Sequence, residues 1–157
     1  MTPLSNPSSY CRLLGRLIYL TTTRPSITHF VHHLSQFMSS PTIAYSQAIF
    51  RILRYLKSAL GSRLFFSSTN SLQLKAFSDS DWASSLDTCR PITGFSVYLG
   101  DSLISWHSKK SPTISRSSSE VEYRALATTT CELQWLTYLL DDLRVPVQRP
   151  ILLYCDN

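Results

Sequence analysis

No acidic residue occurs among the first 70 of the chain's 157 residues. That stretch carries seven basic residues instead: Arg12, Arg16, Arg24, Arg51, Arg54, Lys57 and Arg63. A segment of one sign suits a phosphate backbone, and it equally describes an ordinary solvated face; charge alone leaves both open. Long apolar runs are also missing. The longest candidate, Leu13 to Leu20, is broken by Arg16 and falls well short of the roughly 18 residues a spanning helix needs. It lacks the charged start and small-residue cleavage site of a signal peptide as well. The expectation is an intracellular protein, cytoplasmic or nuclear, with no membrane partner. Cysteine is sparse, and Cys11, Cys89, Cys131 and Cys155 show no close pairing, which argues for reduced thiols over a zinc site or a disulfide framework. No serine, cysteine or lysine sits in a triad-like context. His29 and His33 have the spacing of a helical zinc pair, yet no glutamate follows His29 and no third ligand is apparent.

With 43% hydrophobic and 11% aromatic residues, the chain can bury the core of one or two small domains. Residues 1–9, rich in Ser, Pro and Asn, read as irregular. Helical spacing follows over Tyr10 to Thr22 through Leu14, Leu17 and Ile18, then again through Ile27, Phe30, Val31, Leu34, Phe37 and Met38 up to Pro41. A third helix starts with Thr42 as its cap, runs through Ile49, Ile52, Leu53, Leu56 and Leu60, and stops at Gly61. Arg51, Arg54 and Lys57 fall mainly on its other faces, so the unit is expected to be basic outside.

From Arg63 the period changes. Leu64-Phe65-Phe66 reads as a short strand with a turn after it, and Leu72, Leu74 and Ala76 alternate toward Ser78-Asp79-Ser80-Asp81-Trp82. Phe95, Val97 and Leu99 alternate again, and Leu103 to His107 pairs with them across the turn Gly100-Asp101. Three antiparallel strands follow. Ser117 to Leu143 then reads as one long helix with Val121, Ala125, Leu136, Leu139, Leu140 and Leu143 among its apolar positions. Ile151 to Cys155 reads as a buried strand reaching Asp156-Asn157.

Residues 71–157 hold eight basic residues against ten acids, so an acidic segment sits beside a basic one. An acidic segment that handles nucleic acid needs another use for its carboxylates, and divalent metal is one. Asp79, Glu122 and Asp156 stand near the end of a strand, the start of a helix and the end of a strand, where they could converge at one sheet edge. Two hard cations about 4 Å apart, held by clustered carboxylates, would activate a water and stabilise a leaving oxygen in phosphodiester hydrolysis. Each residue also has a plain reading. Ser119-x-x-Glu122 has the form of a capping box, and Asp79, Asp81 and Asp156 could be turn acids. Lys109, Lys110 and Arg116 could touch phosphates or simply solvate a loop. Trp82, Trp106 and Trp135 read better as core than as stacking platforms.

The stretches Tyr10-Cys-Arg-Leu-Leu-Gly-Arg-Leu-Ile-Tyr-Leu, Thr23-Arg-Pro, Arg51-Ile-Leu-Arg-Tyr-Leu-Lys, Phe77-Ser-Asp-Ser-Asp-Trp-Ala, Ser117-Ser-Ser-Glu-Val-Glu-Tyr-Arg-Ala-Leu-Ala and Leu153-Tyr-Cys-Asp-Asn resemble the Pol polyprotein of copia-type long-terminal-repeat retrotransposons, abundant in plant genomes. The resemblance covers nearly the whole chain. It implies that residues 1–62 are the helical end of a reverse transcriptase and residues 63–157 an RNase H-like domain. The implied fold is α/β: a helical remnant, then an incomplete RNase H-like mixed sheet with one long helix. The family removes the RNA strand of an RNA/DNA hybrid with Mg²⁺ or Mn²⁺. Matched by position, Asp79, Glu122 and Asp156 correspond to its first three metal ligands, with Asp81 and Glu120 as neighbours. By charge, not by that match, Lys109, Lys110, Arg116, Arg51, Arg54 and Lys57 are the residues expected to meet the hybrid's phosphates, a solvated surface being the alternative. The family's fourth acidic ligand, in a late segment with a histidine, has no counterpart here, and its polymerase aspartates lie upstream. The expectation is therefore a chain of nuclease lineage that does not cleave as it stands; the alternative is a non-catalytic nucleic-acid-binding or inert remnant. Ser26, Tyr45 and Ser84 depart from the family's usual Asp, His and Gly.

Overall fold

The computed structural model describes residues 2–81, 91–111, 113–115 and 117–155. The chain divides into two compact units, Met1–Leu64 and Phe65–Asn157.

The first unit is helical. Helix α1 spans Pro7–Leu20, α2 Thr28–Ser35 and α3 Ile43–Ser58, with a 3-10 turn at Pro25–Ile27 leading into α2. Helix α1 begins earlier than periodicity implies because the Asn6 side chain accepts the amide N–H of Ser9 and Pro7 occupies the first turn, where its missing N–H costs nothing. Helix α2 ends sooner than expected, leaving Phe37 and Met38 in turns before Pro41. A proline disfavours helical geometry in the residue before it, and Ser39-Ser40 has little reason to resist. Thr42 does stand at the cap position of α3, but its hydroxyl makes no capping bond and lies buried without a partner among the described residues. The far end of α3 is capped instead by Arg24, whose guanidinium donates to the carbonyls of Ala59 and Leu60 at 3.0 Å each.

Tyr10, Leu14, Leu17, Ile27, Val31, Leu34, Ile49 and Ile52 form the core of this unit. Fully buried aliphatic side chains such as Leu14 and Val31 contribute about 1.5–3 kcal/mol each. Phe30, expected in that core, is 60% exposed, and Leu60 stands outside it as well. The Tyr10 hydroxyl donates to the Leu34 carbonyl at 2.9 Å, which ties α1 to α2. Burial, with smaller contributions from Cys11 and Tyr45, pushes its pKa up to about 12.

The second unit is a mixed four-stranded sheet covered by one helix. Strands β1 (Gln73–Asp81), β2 (Ile92–Leu99) and β3 (Ser102–Lys110) precede helix α4 (Ser118–Asp142), and β4 (Gln148–Cys155) follows it. The order across the sheet is β3-β2-β1-β4, with β4 parallel to β1 and the other pairs antiparallel. Gly100 makes the β2–β3 turn at a φ of +61°, a conformation that only glycine adopts without strain. Leu64-Phe65-Phe66 forms no strand; these residues lie in an irregular connection, with Phe65 and Phe66 exposed.

Leu74, Ala76 and Val97 meet Leu133 and Leu136 of α4 in a second core. The helix's buried stripe runs through Val121, Ala125, Thr129, Leu133 and Leu136. Leu139 and Leu143, expected on that stripe, lie off it and are exposed. Trp135, expected in the core, is 56% exposed because it precedes the buried Leu136 by one residue, a turn of about 100° away from the sheet. Trp106 is half-buried on β3, and Trp82 lies outside the described residues. Strand β4 is an edge strand whose ends are exposed and whose middle is half-buried, not the buried strand its apolar run implies. Among the described residues, no helix is long and apolar enough to cross a membrane.

Candidate carboxylate site

Helix α4 is fixed over β1 by a buried polar contact. The Thr129 hydroxyl lies 3.1 Å from that of Ser78 on β1 and 2.8 Å from the carbonyl of Ala125 in its own helix. Both residues are buried, so each hydroxyl needs a partner and the pair supplies one. This contact sits one residue before Asp79 in the chain. Thr129 is the polar residue in an otherwise apolar stripe, and that break in the stripe is the signal in the sequence for a buried polar partner.

At the start of α4 the capping residue is Ser117, whose side chain accepts the amide N–H of Glu120 at 3.2 Å. The capping pair is therefore Ser117 with Glu120, two residues earlier than Ser119 with Glu122. Glu120 is engaged further by Arg124, one turn on, at 2.7 Å. Glu122 is released from the capping role. It stands beside the buried Val121 and one turn before Ala125, half-buried on the flank of α4 that looks toward β1.

Asp79 lies within β1, two residues before its end, opposite Gly94 of β2. It is not a turn acid. Strand alternation puts it on the face opposite Leu74, Ala76 and Ser78, and it is exposed. Asp79 and Glu122 nonetheless line one small pocket together with Ser78, Ser80, Ala125 and Cys155, with a volume of about 30 Å³. Such a space holds about one water-sized body. Two ions about 4 Å apart would need its open mouth as well. Among the described residues, neither carboxylate has a hydrogen-bond or ion-pair partner.

Asp156 and Arg116 lie outside the described residues. The last described residue, Cys155, is the register partner of Ser78 and lines the same pocket. Its thiol is exposed and free. Among the described residues, no group of three or more His, Cys, Asp or Glu is arranged to hold a metal ion. What the geometry brings together is two hard oxygen donors from elements distant in the chain, a donor set that suits Mg²⁺ or Mn²⁺ better than a soft metal.

The expected nucleic-acid contacts fall in both units. Arg51, Arg54 and Lys57 are exposed along α3, while Lys109 and Lys110 end β3, Lys109 exposed and Lys110 half-buried. His29 and His33 are exposed on α2, with edge-to-face ring contacts to Phe30 and Phe37.

The chain is 46% identical over 156 residues to the retrovirus-related Pol polyprotein from transposon RE1 of Arabidopsis thaliana, an alignment covering 99% of this chain and 11% of that protein. The corresponding polyprotein from transposon RE2 of the same plant is 43% identical over the same shares. A secreted RxLR effector protein, number 161, of Plasmopara viticola is 40% identical over 129 residues, 82% of this chain and 91% of that protein. The chain thus spans about a ninth of the length of the polyproteins it matches. No protein-family model matches it. No solved structure matches it either.

Proposed function

This chain belongs to the retrovirus-related Pol polyproteins of copia-type transposons, and we propose that its second unit is part of an RNase H-type domain acting on the RNA strand of an RNA/DNA hybrid. The residues before it, 1–62, would be the helical end of the reverse transcriptase. The observation that carries the reading is the pocket shared by Asp79 and Glu122, two carboxylates with no structural employment among the described residues.

In this reading Asp79 and Glu122 hold Mg²⁺ or Mn²⁺, with Asp156 as a third ligand. The bound metal supplies Lewis acidity and a more acidic water. The chain's own part is placement. The contact between Thr129 and Ser78 sets the distance of α4 from β1, and with it the separation of the two acids. Gly94 opposite Asp79 leaves the neighbouring strand without a side chain there. Exposed cations on β3 and α3 draw the hybrid's phosphates, and the compartment is that of the hybrid, cytoplasm or nucleus.

A second reading draws on the first unit: with Arg51, Arg54 and Lys57 exposed on α3 and no acid in residues 1–70, the chain would bind nucleic acid without cutting it. Incubating the full chain with a labelled hybrid and Mg²⁺ separates the two. Metal-dependent hybrid binding lost in both Asp79→Asn and Glu122→Gln, with or without loss of the RNA strand, supports the nuclease lineage; salt-sensitive binding indifferent to metal and to both substitutions supports the second reading.

A further inference from the structure

The connection that follows α3 is tied down at both ends and nowhere between. Its last tie to the helical unit is the Ser62 N–H, which donates to the Ala59 carbonyl at 3.1 Å beside the two carbonyls that Arg24 holds. The next tie is Asn70, whose side chain bonds Leu99, Asp101 and Ser102 of the second unit. In the interval Ser67 and Thr69 bond only each other, and Arg63, Leu64, Phe65 and Phe66 make no hydrogen bond among the described residues. The compact units divide at Leu64 and Phe65. Connections of this kind ordinarily carry small and polar residues, yet Phe65 is 80% and Phe66 62% exposed. Neither belongs to a core: the first core ends at Leu56 and the second begins at Leu74.

We propose that the Phe65–Phe66 peptide bond is a cleavage site for an aspartic endopeptidase. A peptidase takes its substrate as an extended strand, with main-chain hydrogen bonds for affinity and side-chain pockets for specificity, so a segment already engaged in a helix or sheet is closed to it. Residues 63–69 are not engaged, and drawn out as a strand they reach about 23 Å at roughly 3.3 Å each. An aromatic side chain on each side of one bond suits an enzyme with an apolar pocket on each side, which is the arrangement around the shared-proton carboxylate pair of aspartic endopeptidases. A peptidase that reads chiefly the residue before the bond makes no use of the second phenylalanine. Water adds across the amide: its oxygen goes to the Phe65 carbonyl carbon, which becomes a carboxylate, and the Phe66 nitrogen leaves as an amine, with no redox partner required. The products, residues 1–65 and 66–157, each keep a whole core, and the cut parts the segment that has seven basic residues and no acid from the one that holds all ten acids. The inference does not rest on the nuclease reading.

The experiment incubates the full chain near neutral pH with a dimeric, retroviral-type aspartic endopeptidase, beside a synthetic peptide of residues 61–70, and reads the fragments by mass. The first cut is expected to release a fragment beginning at Phe66. Its kcat/KM should lie within about tenfold of the peptide's, because the segment is open without local unfolding. A bond reached only through unfolding would be cut about a thousandfold more slowly or worse. Phe65→Asp and Phe66→Asp should each lower kcat/KM about tenfold or more, since a carboxylate would have to enter an apolar pocket. Tyr19→Asp, at an equally exposed aromatic on α1, should leave it unchanged. A first cut at any other bond, a rate more than tenfold below the peptide's, or an unchanged rate in both Asp variants overturns the proposal. A peptide that resists along with the chain overturns the assignment to this class of peptidase.

Discussion

Replacing Gly100 by alanine tests how tightly the β2–β3 turn is built. At a φ of +61° an L-residue is strained by about 1–2 kcal/mol. The added Cβ would also fall 2.3 Å from Asn70 Oδ1 and 2.5 Å from the Ser71 carbonyl oxygen, closer than atoms can approach. Asn70 must then leave, and it is a strap: its Nδ2 donates to the Leu99 carbonyl at 2.8 Å and the Ser102 hydroxyl at 3.0 Å, and its Oδ1 accepts the Asp101 N–H at 3.0 Å. Three such bonds contribute about 0.5–1.5 kcal/mol each. Gly100→Ala should therefore cost about 3–6 kcal/mol, a large share of the roughly 5–15 kcal/mol that holds a domain together. All three tryptophans, Trp82, Trp106 and Trp135, belong to the second unit, so their fluorescence during urea unfolding reports on it alone. Asn70→Ala should cost the strap without the backbone strain, and the double variant should lose less than the sum because the strap is lost only once. A Gly100→Ala protein within about 0.5 kcal/mol of the parent, or strictly additive costs, would refute the account of the turn.

Thr129→Val keeps the side chain's shape but removes the hydroxyl, leaving buried Ser78 without its partner; unfolding followed by tryptophan fluorescence should show a loss of about 1–2 kcal/mol, and an unchanged midpoint would mean that α4 is not held there. The first unit should weaken in alkali. Because the Tyr10 pKa rises from 10.0 to about 12 on folding, its contribution is complete below pH 10 and is lost as pH climbs through 12. Loss of helical circular dichroism over that window, later and shallower in Tyr10→Phe, is the expected result.

Much of the second unit was legible because its signals are local. Gly100-Asp101 marks the hairpin, and the change of period at Ser117 marks α4, which Ser117 caps. What failed was what depends on neighbours. The run Ile151-Leu152-Leu153 has the composition of a buried strand, but β4 lies at the sheet's edge, and burial is set by what packs against a strand. Leu64-Phe65-Phe66 had strand-forming residues but, among the described residues, no strand to pair with. The capping serine was misplaced by two residues within Ser117-Ser118-Ser119, where three identical side chains compete and only geometry decides. At the site, the shared pocket of Asp79 and Glu122 followed from element order, whereas the contact of Thr129 with Ser78 that holds α4 over β1 needed the fold, since the two residues lie 51 positions apart in the chain.

The claim on which the rest depends is that Asp79 and Glu122 share a divalent ion, and Mn²⁺ binding to the full chain, read by paramagnetic relaxation of water protons, tests it without requiring turnover. Mn²⁺ displaced by Mg²⁺, with affinity lowered at least about tenfold in both Asp79→Asn and Glu122→Gln and unchanged in Asp141→Asn on the exposed end of α4, is the predicted result. Equal affinity in all four proteins would contradict it.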